Sequence, residues 1–228
     1  MPRPLPKAAV AEFYRRLRDA LPEPKTELDF RSPYTLVVAV ALSAQATDVS
    51  VNKATRPLFE VADTPEKMLA LGEEGLASYI RTIGLWRNKA KNVIALSRMI
   101  VEEFGGEVPT SREDLMRLPG VGRKTADVVR NVAFGHPTIA VDTHIFRVAN
   151  RTGLAAAKTA DAVSDRLVRR TPPEYAYSAH HWLILHGRYT CKARRPECWS
   201  CVVEDLCGYK DKTPAPQTAS KTAEETAP

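Results

Sequence analysis

All four cysteines of this 228-residue chain fall between Cys191 and Cys207, in the pattern C-x6-C-x2-C-x5-C. Cysteines used for packing would be scattered, so the crowding points to one shared ligand or to disulfides. The first residues, Met1 to Lys7, are proline-rich and carry no apolar h-region. A secretory signal is therefore not expected, and an intracellular setting, which disfavours disulfides, follows as the default. Structural zinc accepts four thiolates too, but a zinc ribbon usually pairs two C-x2-C knuckles across a longer loop. Here Cys198 and Cys201 form a single such pair, which suits a [4Fe–4S] cube wrapped by one loop. The spacing alone leaves iron–sulfur and zinc both open.

Ahead of that loop the chain reads as nearly all helix. Val10, Phe13, Tyr14, Leu17 and Leu21 recur at three- and four-residue spacing over 8–21. Residues 34–46 are apolar nearly all round and read as a helix surrounded by others. Further helices are expected over 49–60, from the Thr64 cap and Pro65, and over 74–82, 87–104, 111–117, 123–134, 143–151, 159–170 and 174–186. Pro137 to Val141 has some β-branched character but no obvious pairing partner. The fold class is therefore all-α. Residues 212–228, rich in Thr, Ala, Pro, Lys and Glu, read as a disordered tail.

The formal net charge of +6 favours a polyanionic partner, nucleic acid before membrane. No apolar run reaches the ~18 residues of a membrane span; that of Tyr34 to Ala46 is broken by Ser43 and Gln45. Between two helical patterns lies Leu118-Pro119-Gly120-Val121-Gly122-Arg123-Lys124-Thr125-Ala126. Two glycines one residue apart turn the chain tightly and leave amides at a helix N-terminus for a phosphate. The spacing is not that of a P-loop. The choice is between a helix–hairpin–helix gripping DNA backbone and an ordinary αα-turn. Lys124 falls in the first turn of the next helix, where the dipole disfavours its charge by only about 0.5–1 kcal/mol. An amine nucleophile must be neutral, so desolvation or another cation has to supply the rest; otherwise Lys124 is a phosphate contact. Asp142 reads as an N-cap, a role compatible with stabilising oxocarbenium charge on a sugar. The loop Lys192-Ala193-Arg194-Arg195-Pro196-Glu197 is either a phosphate grip pinned by the cysteines or a solvated charge run.

Taken in order, these motifs resemble the endonuclease III family. The likeness runs through Leu42-Ser43-Ala44-Gln45-Ala46-Thr47-Asp48, the hairpin, Val141-Asp142-Thr143-His144-Ile145-Phe146-Arg147-Val148, His180-His181-Trp182-Leu183-Ile184-Leu185-His186-Gly187 and the cysteine run. The resemblance implies a helix–hairpin–helix DNA glycosylase fold with two helical lobes around a DNA-binding cleft. Residues 26–136 would form a six-helix lobe, and 1–25 with 137–211 the cluster lobe. It implies base-excision repair by a bifunctional glycosylase and AP lyase. Lys124 would be the nucleophile and Asp142 its paired aspartate, with Cys191, Cys198, Cys201 and Cys207 on a [4Fe–4S] cluster. Gln45 and Leu85 would fill the gap left by a flipped base, with Gly120, Val121, Gly122, Arg123, Lys192, Arg194 and Arg195 as further DNA contacts. The implied partner is double-stranded DNA carrying damaged pyrimidines or abasic sites. The enzyme would be a monomer, cytoplasmic and nucleoid-associated, with no membrane role. The adenine glycosylase branch of these proteins lacks the lysine and uses a glutamate where this chain has Ala41, so that activity is not expected. One departure is Asp127, where the family carries Asn; a carboxylate there could act on Lys124 or repel phosphate.

Overall fold

The computed structural model describes residues 3–216, and these contain ten α-helices, two short 3-10 turns and no β-strand. Residues 217–228, most of the expected tail, lie outside the described residues. Helices α2 (Pro33–Leu42), α3 (Asp48–Val61), α4 (Pro65–Ile80), α5 (Trp86–Phe104), α6 (Arg112–Arg117) and α7 (Arg123–Phe134) enclose one hydrophobic core. Helices α1 (Lys7–Ala20), α8 (Thr143–Thr152), α9 (Ala160–Arg170) and α10 (Ala179–Tyr189) enclose a second.

Local sequence explains where the helices start. Ser32, Thr47, Thr64, Ser111, Asp142 and Thr159 each cap the helix that follows, accepting from a backbone N–H three residues on. Each such cap is worth about 1 kcal/mol over alanine. Helix α2 buries residues on every side because it packs against α3, α5 and α7 together. It ends at Leu42, four residues short of the expected Ala46, because Ser43 leads into a turn in which Gln45 adopts φ 55°. The separate helices expected near 65 and over 74–82 are one element broken at Gly72, whose φ of 71° and ψ of 174° are non-helical.

The second core draws in the N-terminus. Tyr14 and Thr171 share a hydroxyl hydrogen bond of 2.9 Å, and the Trp182 indole donates to the Leu21 carbonyl at 2.8 Å. The 137–141 stretch is not a strand. From Thr138 on it is buried, held between α7 and α9 by the Thr138 hydroxyl donating to the Asp127 carbonyl (2.6 Å) and Ser164 donating to the Ile139 carbonyl (2.8 Å). That stretch delivers the chain to Asp142.

Candidate active site and cluster loop

Gln45 and Leu85 are the non-glycine residues with positive φ among the described residues, at 55° and 62°. A left-handed backbone costs an ordinary side chain about 1–2 kcal/mol, and such strain gathers at functional sites. The two turns are neighbours, since a Cβ added at Gly84 would stand 3.9 Å from the Gln45 carbonyl oxygen. Both side chains project into solvent, Leu85 with 58% of its surface exposed. An exposed leucine held in a strained turn is poorly explained by stability.

The hairpin follows from Gly120, whose φ of 79° turns the chain while its missing Cβ makes room for Asn92 of α5, which a Cβ would meet at 3.0 Å. Val121 is buried in the first core and its amide donates to the Leu118 carbonyl. Gly122 caps α7, whose first-turn amides have no intrahelical acceptor. Lys124 is exposed in that turn. Arg123 points elsewhere: its guanidinium lies against Asp127, Asp161 and Asp165. Asp127 is buried and ion-paired to Arg112 at 2.8 Å, so its charge is turned inward, away from any phosphate.

Asp142 caps α8, its Oδ1 accepting from the Ile145 amide at 2.8 Å. Helix α8 packs closely on α10 because Gly187 has no side chain; a Cβ there would meet the His144 Cβ at 2.8 Å and its carbonyl oxygen at 3.1 Å. His180, on α10, is fully buried, and burial first, then the nearby charges of His181, Lys124 and Arg188, push its ring down to about 3. It is therefore a neutral imidazole.

Beside Gln45 opens a cavity that sequence reasoning missed, lined by Glu27, Thr47, Asp48, Asn52, His144 and Arg188 among others. Arg188 pairs with Asp48 at 2.5 Å and with Glu27, which also accepts from the Tyr189 hydroxyl. Asp48 and Arg188 sit in or beside quoted motifs, so a signal existed. Glu27 carried none, being placed by a loop held on Asn52, whose Nδ2 donates to the Glu27 carbonyl at 2.8 Å.

The four cysteines are free thiols lining one cavity with Arg151, His186, Val203 and Tyr209. Among the described residues no three His, Cys, Asp or Glu side chains are arranged to hold a single metal ion. Four thiols around one hollow suit a [4Fe–4S] cluster held by a single loop. Burial pushes the Cys201 thiol up to about 11 and raises Cys207 as well, so a cationic group is needed to hold them as thiolates. The loop is braced from within: Arg151 donates to the Lys192 and Ala193 carbonyls (2.6 and 2.7 Å) and lies 3.7 Å from Cys191 Sγ. Lys192 is paired to Glu197, whereas Arg194 and Arg195 are exposed. Lys212 is held to Glu204 at 2.6 Å, so the ordered loop continues into the start of the expected tail.

Comparison with known proteins agrees with this geometry. Residues 38–173 match the HhH-GPD superfamily base excision DNA repair proteins, and residues 191–207 the iron-sulfur binding domain of endonuclease III. Endonuclease III of Escherichia coli (strain K12) is 59% identical over 206 residues, covering 90% of this chain and 98% of that protein. Among solved structures, a trapped endonuclease III–DNA covalent intermediate superposes with a TM-score of 0.83 at 45% identity, covering 89% of this chain and 96% of that one. A non-covalent endonuclease III–DNA complex gives 0.84 at 45% identity, with 89% and 95% covered.

Proposed function

The chain belongs to the HhH-GPD superfamily of base excision DNA repair proteins, in the endonuclease III family, and on that premise we propose that Lys124 and Asp142 carry out its glycosylase and lyase chemistry. It is a DNA glycosylase and AP lyase with a [4Fe–4S] cluster as cofactor. Cys191, Cys198, Cys201 and Cys207 would hold the cluster. When bound, it supplies a rigid anchor that fixes the 191–207 loop, presenting Arg194 and Arg195 to phosphate.

The reading begins with extrusion of the damaged nucleotide, which costs a few kcal/mol of lost stacking. Gln45 and Leu85, already held in strained turns, fill the gap, and the first-turn amides of α7 take a phosphate. Bound DNA covers the exposed Lys124 and excludes its water, which favours the neutral amine. Nζ attacks C1′ as the C1′–N bond breaks, and the base departs with the bonding pair and takes up a proton. Positive charge on the sugar is balanced by the Asp142 carboxylate, fixed in place by its capping bond. The amine then loses a proton, the ring opens to a Schiff base, and removal of a C2′ proton expels the 3′ phosphate by β-elimination.

The base pocket favours polar, oxidised pyrimidines. Glu27, Asp48, Arg188 and Tyr189 offer both donors and acceptors there, as an oxidised ring with added carbonyl or hydroxyl groups requires. Duplex DNA with damaged pyrimidines or abasic sites is thus the substrate, handled by a monomer at the cytoplasmic nucleoid where that DNA resides. The two hydrophobic cores support lobes of 26–136 and of 1–25 with 137–211. The observation that carries this reading is the exposed placement of Lys124 in the first turn of the hairpin helix, whose opening amides have no side-chain cap. Incubation with a duplex containing one oxidised pyrimidine should release the free base together with a β-elimination end. Base release with an intact strand would contradict the lyase half.

A further inference from the structure

Lys124 and Asp142 belong to helices of different cores, so their separation depends on whatever fixes α7 against the second core. Thr138 and Ser164 clamp the 138–141 stretch between α7 and α9 from inside. Outside that clamp lies Arg123, the residue before Lys124. Its Nε stands 3.8 Å from Asp127 Oδ2 one turn along α7, its NH1 3.5 Å from Asp161 and its NH2 2.5 Å from Asp165, both on α9. Asp127 is almost wholly buried and is shared with Arg112 of α6 at 2.8 Å. Three carboxylates thus face two guanidiniums, leaving a local negative excess that would repel a phosphate rather than receive one.

We propose that Arg123 is a positioning residue: it straps the first turn of α7 to α9 across the two cores and so sets the distance between Lys124 and Asp142. This rests on the reading of those two residues as the reacting pair. Arg123 is then not a DNA contact, although its place in the hairpin suggests one. A planar guanidinium suits the task because its fork spans partners on two elements at once, which a lysine cannot do.

The test uses the full-length, iron-replete protein on an abasic-site duplex, measuring single-turnover borohydride trapping and duplex affinity across a salt series. The variants are Arg123→Gln, Arg123→Lys and the double variant Asp161→Asn/Asp165→Asn, whose carboxylates are half or more exposed and whose loss should leave the fold intact. The strap requires the aspartate pair variant to trap about tenfold more slowly, as expected for a misplaced nucleophile. Affinity should be unchanged or tighter, and adding Arg123→Gln should cost little more; Arg123→Lys should recover only part of the rate. If the aspartate pair variant traps at the wild-type rate, the proposal is overturned. Arg123→Gln alone flattening the salt slope by about 0.9 would then make Arg123 a phosphate contact. Adduct formation that survives Lys124→Ala would instead remove the reading beneath the proposal, an outcome distinguishable from failure of the strap.

Discussion

At the level of single residues, the chemistry divides into what a motif carries and what only the fold brings together. The sequence offers Lys124 and Asp142 as candidates because each stands in a local pattern, a glycine hairpin and a helix cap. For Arg123 the same hairpin suggests a phosphate, while its partners Asp161 and Asp165 lie far along the chain on another helix, where no local pattern could announce them. Asp127 likewise turned out to be paired inward with Arg112. His180 gives a test of burial at this scale. Its ring is held down to about 3 from the ordinary 6.5, chiefly by desolvation. Between those values the unfolded chain binds a proton that the folded chain refuses. The stability that depends on a neutral ring is therefore whole above pH 6.5 and is lost progressively as pH falls toward 3, by on the order of a few kcal/mol. Chemical denaturation of His180→Gln should show a shallower loss over that window than the wild type. Parallel curves would mean that the ring does not titrate as its burial requires.

Elements were mostly readable, because amphipathic spacing and side-chain caps act within a few residues. The exceptions are instructive. The apolar pattern of α2 continues past its end, yet the helix stops at Leu42 so that Gln45 can stand in a left-handed turn. Hydrophobic periodicity does not register a strained turn adopted for a purpose. Nor does it register the pairing of α8 with α10, which depends on Gly187. Alanine there gains about 1 kcal/mol of helix propensity but drives a methyl into the His144 backbone, a clash costing about 1–3 kcal/mol. The clash should prevail, because the His144 atoms it meets are partly main chain and cannot rotate aside. Gly187→Ala is thus expected to lower the melting temperature by several degrees and to slow base excision by shifting α8, with iron content retained. An unchanged melting temperature would mean that the helices separate freely and that this contact does not position Asp142.

For the molecule as a whole, the all-helical class and the cysteine loop could be read from the chain. The polar cavity beside Gln45 could not, since Glu27, Asp48 and Arg188 lie far apart in the sequence and meet only in the fold. The assembled account is of two helical cores that hold a nucleophile and a carboxylate across a cleft, with two strained wedges at its edge and a metal-bearing loop beyond. Its central claim is amine catalysis by Lys124. The direct measurement is borohydride trapping on an abasic-site duplex, with wild type beside Lys124→Ala. The account requires a covalent protein–DNA adduct from the wild type and none from the variant, while the variant still binds the duplex. No adduct from iron-replete wild type, or an equal adduct from Lys124→Ala, would contradict it.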